Sequence, residues 1–364
     1  MLFRIVVLLT LLLSAPLAVY AREFKQALPG YVFSFPKDHV SHDQFKTEWW
    51  YYTGHLESKD KKHYGYELTF FRTGVDNLPV SKSSPWDVKD IFLAHFAITD
   101  ENNKTFHYFE KLNRSGLNSA GAKLDHYYVF NENWSVEQLG DRFVLKADTP
   151  DFGLHLILNS AKQPVVHGQN GVSQKASCKG CASHYYSMTR LKSEGYVYLK
   201  GQAVPVTGTS WMDHEFGSNQ LTAEQVGWDW YSVQLDNNTE LMLYIIKKAD
   251  NAIDANSSGT IIFPDGSSKH ICQSEFTIKT ARNWKSPHTG GLYPMDWTIS
   301  VPSQKLNLTL VPSLDDQELS TAKSTGVSYW EGATSVKGQL NGKEVTGQAY
   351  VEMTGYAEKF HKKI

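Results

Sequence analysis

The octapeptide "WWYYTGHL", Trp49–Leu56, has a partner 179 residues on, "WDWYSVQL", Trp228–Leu235. Each is followed by a polar, turn-like segment and then by Glu-Leu with apolar residues: Glu67-Leu68-Thr69-Phe70 and Glu240-Leu241-Met242-Leu243. Aromatic strands look alike in any protein, so coincidence stays open at this point. Read as a repeat, the pair marks a duplicated β unit whose second copy starts near residue 206.

The rest of the chain reads as strands. Tyr64, Tyr66, Leu68 and Phe70 share one face, as do Phe152, Leu154, Leu156 and Leu158, and Leu306, Leu308 and Leu310. Period-2 alternation is the mark of half-buried strands. Pro264-Asp265-Gly266 and Asn341-Gly342 supply hairpin turns. No long capped amphipathic helix is found; short helical turns are expected at Ser84–Val88 and Ser313–Leu319. The expected class is all-β, with two tandem closed antiparallel barrels, since closure removes exposed edges. The expected divisions are a signal peptide at 1–21, a first barrel at 22–205 and a second at 206–364. Small barrels of this kind hold apolar ligands.

A charged start, an apolar run over Ile5–Leu13 and small residues up to Ala21 describe a secretory signal cleaved after Ala21. A periplasmic or secreted location is therefore expected. The net charge of −2 implies neither nucleic acid nor an anionic membrane as partner. Three cysteines are present. In an oxidising compartment Cys178 and Cys181 are expected to form a small structural disulfide, with Cys272 free and buried.

The densest chemistry is "TSWMDHEFGS", Thr209–Ser218. On a strand, Trp211, Asp213 and Glu215 point to one side and His214 and Phe216 to the other. Carboxyls two residues apart on one face sit about 7 Å apart. That suits an inverting glycosidase, and equally two separately solvated acids. Burial beside aromatics would raise a carboxyl into the range of a proton donor. A metal site lacks ligands at suitable spacing, and no nucleophile elbow exists. A second cluster, Phe35–His42 running into Thr47-Glu48-Trp49-Trp50-Tyr51, reads as an aromatic pocket with Glu48 and His39 at its rim. The bland alternative is an aromatic plug closing a barrel end.

"FPKDHVSHDQFKTEWWYYTGHL" (Phe35–Leu56), "AHFAITD" (Ala94–Asp100), "HYYSMTRL" (His184–Leu191), "TSWMDHEFGS" and the closing "YWEGA" and "VEMTGY" (Tyr329–Ala333, Val351–Tyr356) resemble the CrtC/AttH family. That family groups carotenoid 1,2-hydratases (hydroxyneurosporene synthases) with AttH-type secreted proteins. The resemblance covers nearly all of the chain after residue 21 and implies two lipocalin-like barrels. The hydratase branch carries an Asp-His-Asn-Trp-like segment that falls on Asp213-His214-Glu215-Phe216, with Glu215 in place of the amide and Phe216 in place of Trp. Asp229 is a candidate for a further acid.

The expected function is a hydrolase or hydratase acting on an apolar, isoprenoid- or lipid-like molecule, without cofactor. Asp213 or Glu215 would donate the proton and His214 would orient water or the acid. Glu48, His39, Trp49, Trp50, Tyr51, Trp211, Phe216, Trp228, Asp229 and Trp230 would line the pocket. A non-catalytic lipid carrier serving envelope transport needs the same pocket without the acids.

Overall fold

The computed structural model describes residues 23–75, 88–250 and 252–360. The expected signal peptide and most of Ser84–Val88 lie outside them. Two curled antiparallel sheets account for nearly all of the structure, and short 3-10 turns are the only helical elements among the described residues.

The duplication is visible in the strand order. Thr47–Ser58 lies between His63–Gly74 and Gln202–Gly217 in the first sheet. Gln225–Leu235 lies between Glu240–Lys248 and Lys343–Thr354 in the second. The two aromatic octapeptides thus occupy the same place in two sheets wound the same way. Each buries its own core: Trp50, Tyr52, Leu68 and Phe96 in the first, Tyr231, Trp297 and Trp330 in the second.

The first sheet comes close to closing on itself. Asn113 Nδ2 donates to Asn131 Oδ1 at 2.7 Å, and Asn131 Nδ2 to the Phe92 carbonyl at 3.2 Å, across the seam. The second is a half-barrel, because its end strands Ser268–Cys272 and Thr277–Lys285 do not pair. The expected division at 205/206 falls inside Gln202–Gly217, which belongs wholly to the first sheet. That strand forms a long hairpin with Ala182–Leu199, so the chain passes to the second sheet only after Gly217.

Local chemistry accounts for the turns. Asn341 and Gly342 both take positive φ, 53° and 76°, as a two-residue hairpin requires. Ser313–Leu319 is not helical; it bends into the strand Glu318–Thr321. Cys178 and Cys181 form the expected disulfide. Cys272 is free but exposed, because its neighbour Ile271, not Cys272, faces the core.

The two sheets pack through a third apolar cluster that includes Tyr51, Tyr185, Trp211, Trp230, Tyr244 and Tyr350. Gly65 sets their closeness: a Cβ there would sit 2.7 Å from Ala333 Cβ and 3.0 Å from the Tyr350 hydroxyl. Gly65→Val is expected to force the sheets apart and lower stability by about 1–3 kcal/mol, the usual cost of overpacking. Urea unfolding midpoints of the two proteins check it.

Candidate active site

The strand pair Thr47–Ser58 and Gln202–Gly217 sets Trp50 opposite His214 and Tyr51 opposite Asp213. Successive side chains point to opposite faces. Glu48, Trp50, His214 and Phe216 therefore face the interior of the first barrel. Trp49, Tyr51, Trp211, Asp213 and Glu215 face the second sheet. The expected trio Asp213, His214 and Glu215 is split by the sheet that carries it.

The inner cluster centres on Glu48, which is fully buried. Its carboxylate accepts from His214 Nε2 (2.8 Å), His42 Nδ1 (2.9 Å), the His42 amide (2.9 Å), Ser41 Oγ (2.9 Å) and Arg72 Nε (3.1 Å). Burial alone would raise its pKa; the bonds from His214 and His42 and the charge of Arg72 outweigh it and hold the carboxyl well below its usual range. His42 is also 3.2 Å from Asp38. Its burial is outweighed by the two carboxylates, so its pKa is raised. His214 and His39 both contact the Tyr186 hydroxyl, at 3.1 and 2.7 Å. Desolvation keeps both neutral, His39 at about 4. Phe216 stacks on His42, with ring centroids 3.6 Å apart.

His42, Glu48 and His214 present three ligand atoms within 4.8 Å of one another. The guanidinium of Arg72, itself buried, already neutralises Glu48 and also bonds the His42 and Phe45 carbonyls. The lone pairs of Glu48 are taken by five donors, so the arrangement is a saturated ion-pair network rather than an open coordination site. This cluster anchors the entry segment to the barrel.

The outer face is different. Asp213 accepts from Tyr185 OH (2.6 Å), Trp211 Nε1 (2.6 Å) and Ser187 Oγ. Burial nevertheless raises its pKa to about 7. Its structural equivalent in the second sheet is Glu352: Tyr51 pairs with Asp213 as Trp230 pairs with Glu352. Glu352 takes a bond from Trp228 Nε1 at 2.9 Å, and burial raises it too, to about 7. Glu331 lies beside Glu352 across the strand pair and bonds Tyr51 OH. Burial, then the charges of Glu67 and Glu352, push it well up. Glu67, fully buried, is raised by burial to about 8. Four carboxyls from both sheets thus meet among Tyr51, Tyr185, Trp211, Trp228 and Trp230.

These shifts set the pH dependence of stability. Groups whose folded pKa is raised stabilise below their unfolded pKa and lose that contribution as pH rises through the folded value. Asp213, Glu352 and Glu67, and His42 in the inner cluster, all act in this sense. The depressed histidines, His39 at about 4 and His95 and His167 at about 3, act oppositely, but only below about pH 6.5. Stability should therefore fall by something of the order of 3 kcal/mol between pH 6.5 and 8.5. Denaturant titrations at those pH values measure it, and Glu67→Gln should flatten the slope.

Other expected residues fall elsewhere. Glu215 is paired with Lys175 (3.0 Å) and Ser183, so it is already committed to a salt bridge. Asp229 points away from the junction, into the second sheet, where it bonds Lys247 (2.8 Å) and Tyr356 (3.1 Å). Trp49 packs at the junction, while Glu48, His39, Trp50 and Phe216 belong to the inner cluster. Glu67, Glu331 and Glu352 are junction residues beyond those expected from the sequence. A signal existed in the sequence: Glu352 sits between Val351 and Met353 in a strand, and Glu67 lies one residue from Leu68.

The AttH-like family pattern matches residues 26–356. The chain belongs to the AttH-like family. Among solved structures, this AttH-like chain resembles one named as an AttH from Nitrosomonas europaea. The TM-score is 0.82 at 30% identity, covering 92% of this chain and 99% of the other. It shares its fold with kievitone hydratase from Nectria haematococca, with TM-score 0.68 and 15% identity over 92% and 98% of the two chains. Among curated proteins it matches a dehydratase, AsqC of Emericella nidulans, at 19% identity over 62% of this chain. That match spans 63% of the length of the curated relative. The expected family and its paired β-sheet fold are thereby established.

Proposed function

We propose that this AttH-like protein is a hydro-lyase-type enzyme that adds or removes water on an apolar substrate at the junction of the two sheets. The observation that carries the reading is the pair Asp213 and Glu352. They hold equivalent positions in the duplicated sheets, and both are lifted by burial to about 7. A carboxyl near neutrality serves as acid in one state and base in the other. In hydration, one carboxyl gives its proton to an alkene carbon. The adjacent carbon becomes cationic, a water oxygen bonds to it, and the water's proton passes to a carboxylate. Dehydration runs the same steps backwards. The faces of Trp211, Trp230 and Tyr51 would stabilise the cation by about 0.5–2 kcal/mol each. The aromatic surroundings fit an isoprenoid-like or other apolar substrate, and the names of the dehydratase and hydratase relatives agree with the reaction class.

The test incubates purified protein with a panel of apolar tertiary alkenes and alcohols in heavy-oxygen water. Label entering product, seen by mass spectrometry, is the expected result. Saturable binding of the panel with neither labelled alcohol nor newly formed alkene would overturn the enzyme reading and assign a carrier instead.

A further inference from the structure

One side of the junction reaches the surface through a chain of polar groups that belongs to neither core. Glu67 has one carboxyl oxygen, Oε2, buried without a hydrogen-bond partner. Its Oε1 lies 3.4 Å from the Tyr329 hydroxyl. Tyr329 OH is 2.7 Å from His95 Nδ1, and His95 Nε2 is 2.9 Å from Ser324 Oγ. Ser324 Oγ donates to Glu110 Oε2 at 2.5 Å, and Glu110 is half-exposed on the strand Thr105–Arg114.

We propose that Glu110, Ser324, His95 and Tyr329 form a proton path between solvent and Glu67, and through Glu67 serve the junction carboxyls.

The donors fall into one consistent direction. The Ser324 proton goes to Glu110, so Ser324 Oγ accepts from His95 Nε2–H. A neutral imidazole then has a bare Nδ1, which accepts from Tyr329 O–H. With Tyr329 O–H turned to His95 Nδ1 instead of to Glu67 Oε1, the Tyr329 oxygen can accept from protonated Glu67 once their 3.4 Å separation shortens to hydrogen-bond length. A concerted shift moves the Glu67 proton to Tyr329, the Tyr329 proton to His95 Nδ1, the His95 Nε2 proton to Ser324 and the Ser324 proton to Glu110. Glu67 ends ionised, Glu110 ends protonated, and His95 has changed tautomer. Histidine suits the middle position because its two nitrogens exchange donor and acceptor roles without a net charge. Burial keeps His95 uncharged. Facing Glu67 are Thr69 from its own strand and Glu331, Glu352, Tyr329 and Tyr350 from the second sheet. The role in turnover rests on the junction being the acid site; the path itself does not.

A purely structural lock would use the same atoms, since Glu110 also accepts from the amides of Lys323 (3.2 Å) and Ser324 (2.8 Å). Ser324→Ala separates the two roles, because it deletes the hydroxyl link and keeps both amide bonds. The probe is the carboxylic-acid infrared band, assigned to Glu67 by its loss in Glu67→Gln and followed after rapid transfer into deuterated buffer. Exchange of that band should slow by about tenfold or more in Ser324→Ala and in Glu110→Gln, recover in Ser324→Thr, and leave the band's pH midpoint in place. Equal exchange rates in all variants would overturn the path while leaving the acid site standing. Absence of the band at neutral pH would overturn the protonated Glu67 and the path with it, leaving the pair Asp213 and Glu352 untouched.

Discussion

Asp213→Asn is expected to cut turnover by about 10²–10⁴-fold, the span associated with a positioned acid or base, while raising the unfolding free energy at pH 6, where folding of the native chain must protonate a carboxyl that is ionised when unfolded. At that pH the native group is mostly protonated, since burial holds it at about 7. An amide is its uncharged isostere. Asn keeps one oxygen for the donors Trp211 and Ser187 and turns its amide NH2 to the Tyr185 oxygen, but it can neither give nor take the proton. The variant's advantage should open above about pH 4, grow until about pH 7 and level off above pH 8, because it never carries the cost of desolvating that carboxylate. Asp213→Ala behaves differently: it strands the three donors, at about 1–3 kcal/mol for each buried group left unpaired. Steady-state kinetics on any substrate found in the heavy-oxygen panel, paired with denaturant unfolding at pH 6 and 8.5, measures both effects. Equal kcat in Asp213→Asn, Glu352→Gln and native protein would remove both from the mechanism.

Glu48→Ala is expected to cost about 3–5 kcal/mol of stability, the penalty for breaking a buried ion pair from one side. The variant leaves the Arg72 guanidinium, almost wholly buried, with Asp90 as its remaining carboxylate. It also removes the acceptor that Ser41 Oγ, the His42 amide and His214 Nε2 share. His42, whose pKa is raised by its bonds to Asp38 and Glu48, loses one of the two carboxylates that favour its protonated form. Glu48→Leu combined with Arg72→Met should recover much of the loss, because removing both charges removes the unpaired one. Thermal and urea unfolding of the single and double variants decide it. A single variant as stable as the native chain would show that the inner network contributes nothing to the fold.

Much of the architecture was legible in the chain because β structure writes itself with period 2. Tyr64–Phe70, Phe152–Leu158 and Leu306–Leu310 all fall in strands, and the aromatic octapeptides do mark equivalent strands. The boundary near 206 was not legible. A hairpin strand that completes one sheet and a strand that opens the next carry the same alternation, and only pairing tells them apart. For the same reason, local pattern could not show that the second sheet stops at a half-barrel.

The site divides in the same way. Alternation alone placed Asp213 with Trp211 and His214 with Phe216, and the fold keeps that division. The sequence by itself determined the strand class and the two faces of Thr209–Ser218, and it pointed to the duplication and the disulfide that the fold then showed. Only the tertiary structure decided which face meets the other sheet. It brought Glu67, Glu331 and Glu352 to Asp213 from strands more than a hundred residues apart at the extremes. It also gave Glu48 to His214 and Arg72, and Glu215 to Lys175. The physical reason is that a carboxyl's character is set by its neighbours and by the water it has lost. The two Glu–Asp outcomes, ion-paired in the barrel and near neutral at the junction, follow from partners that alternation cannot name.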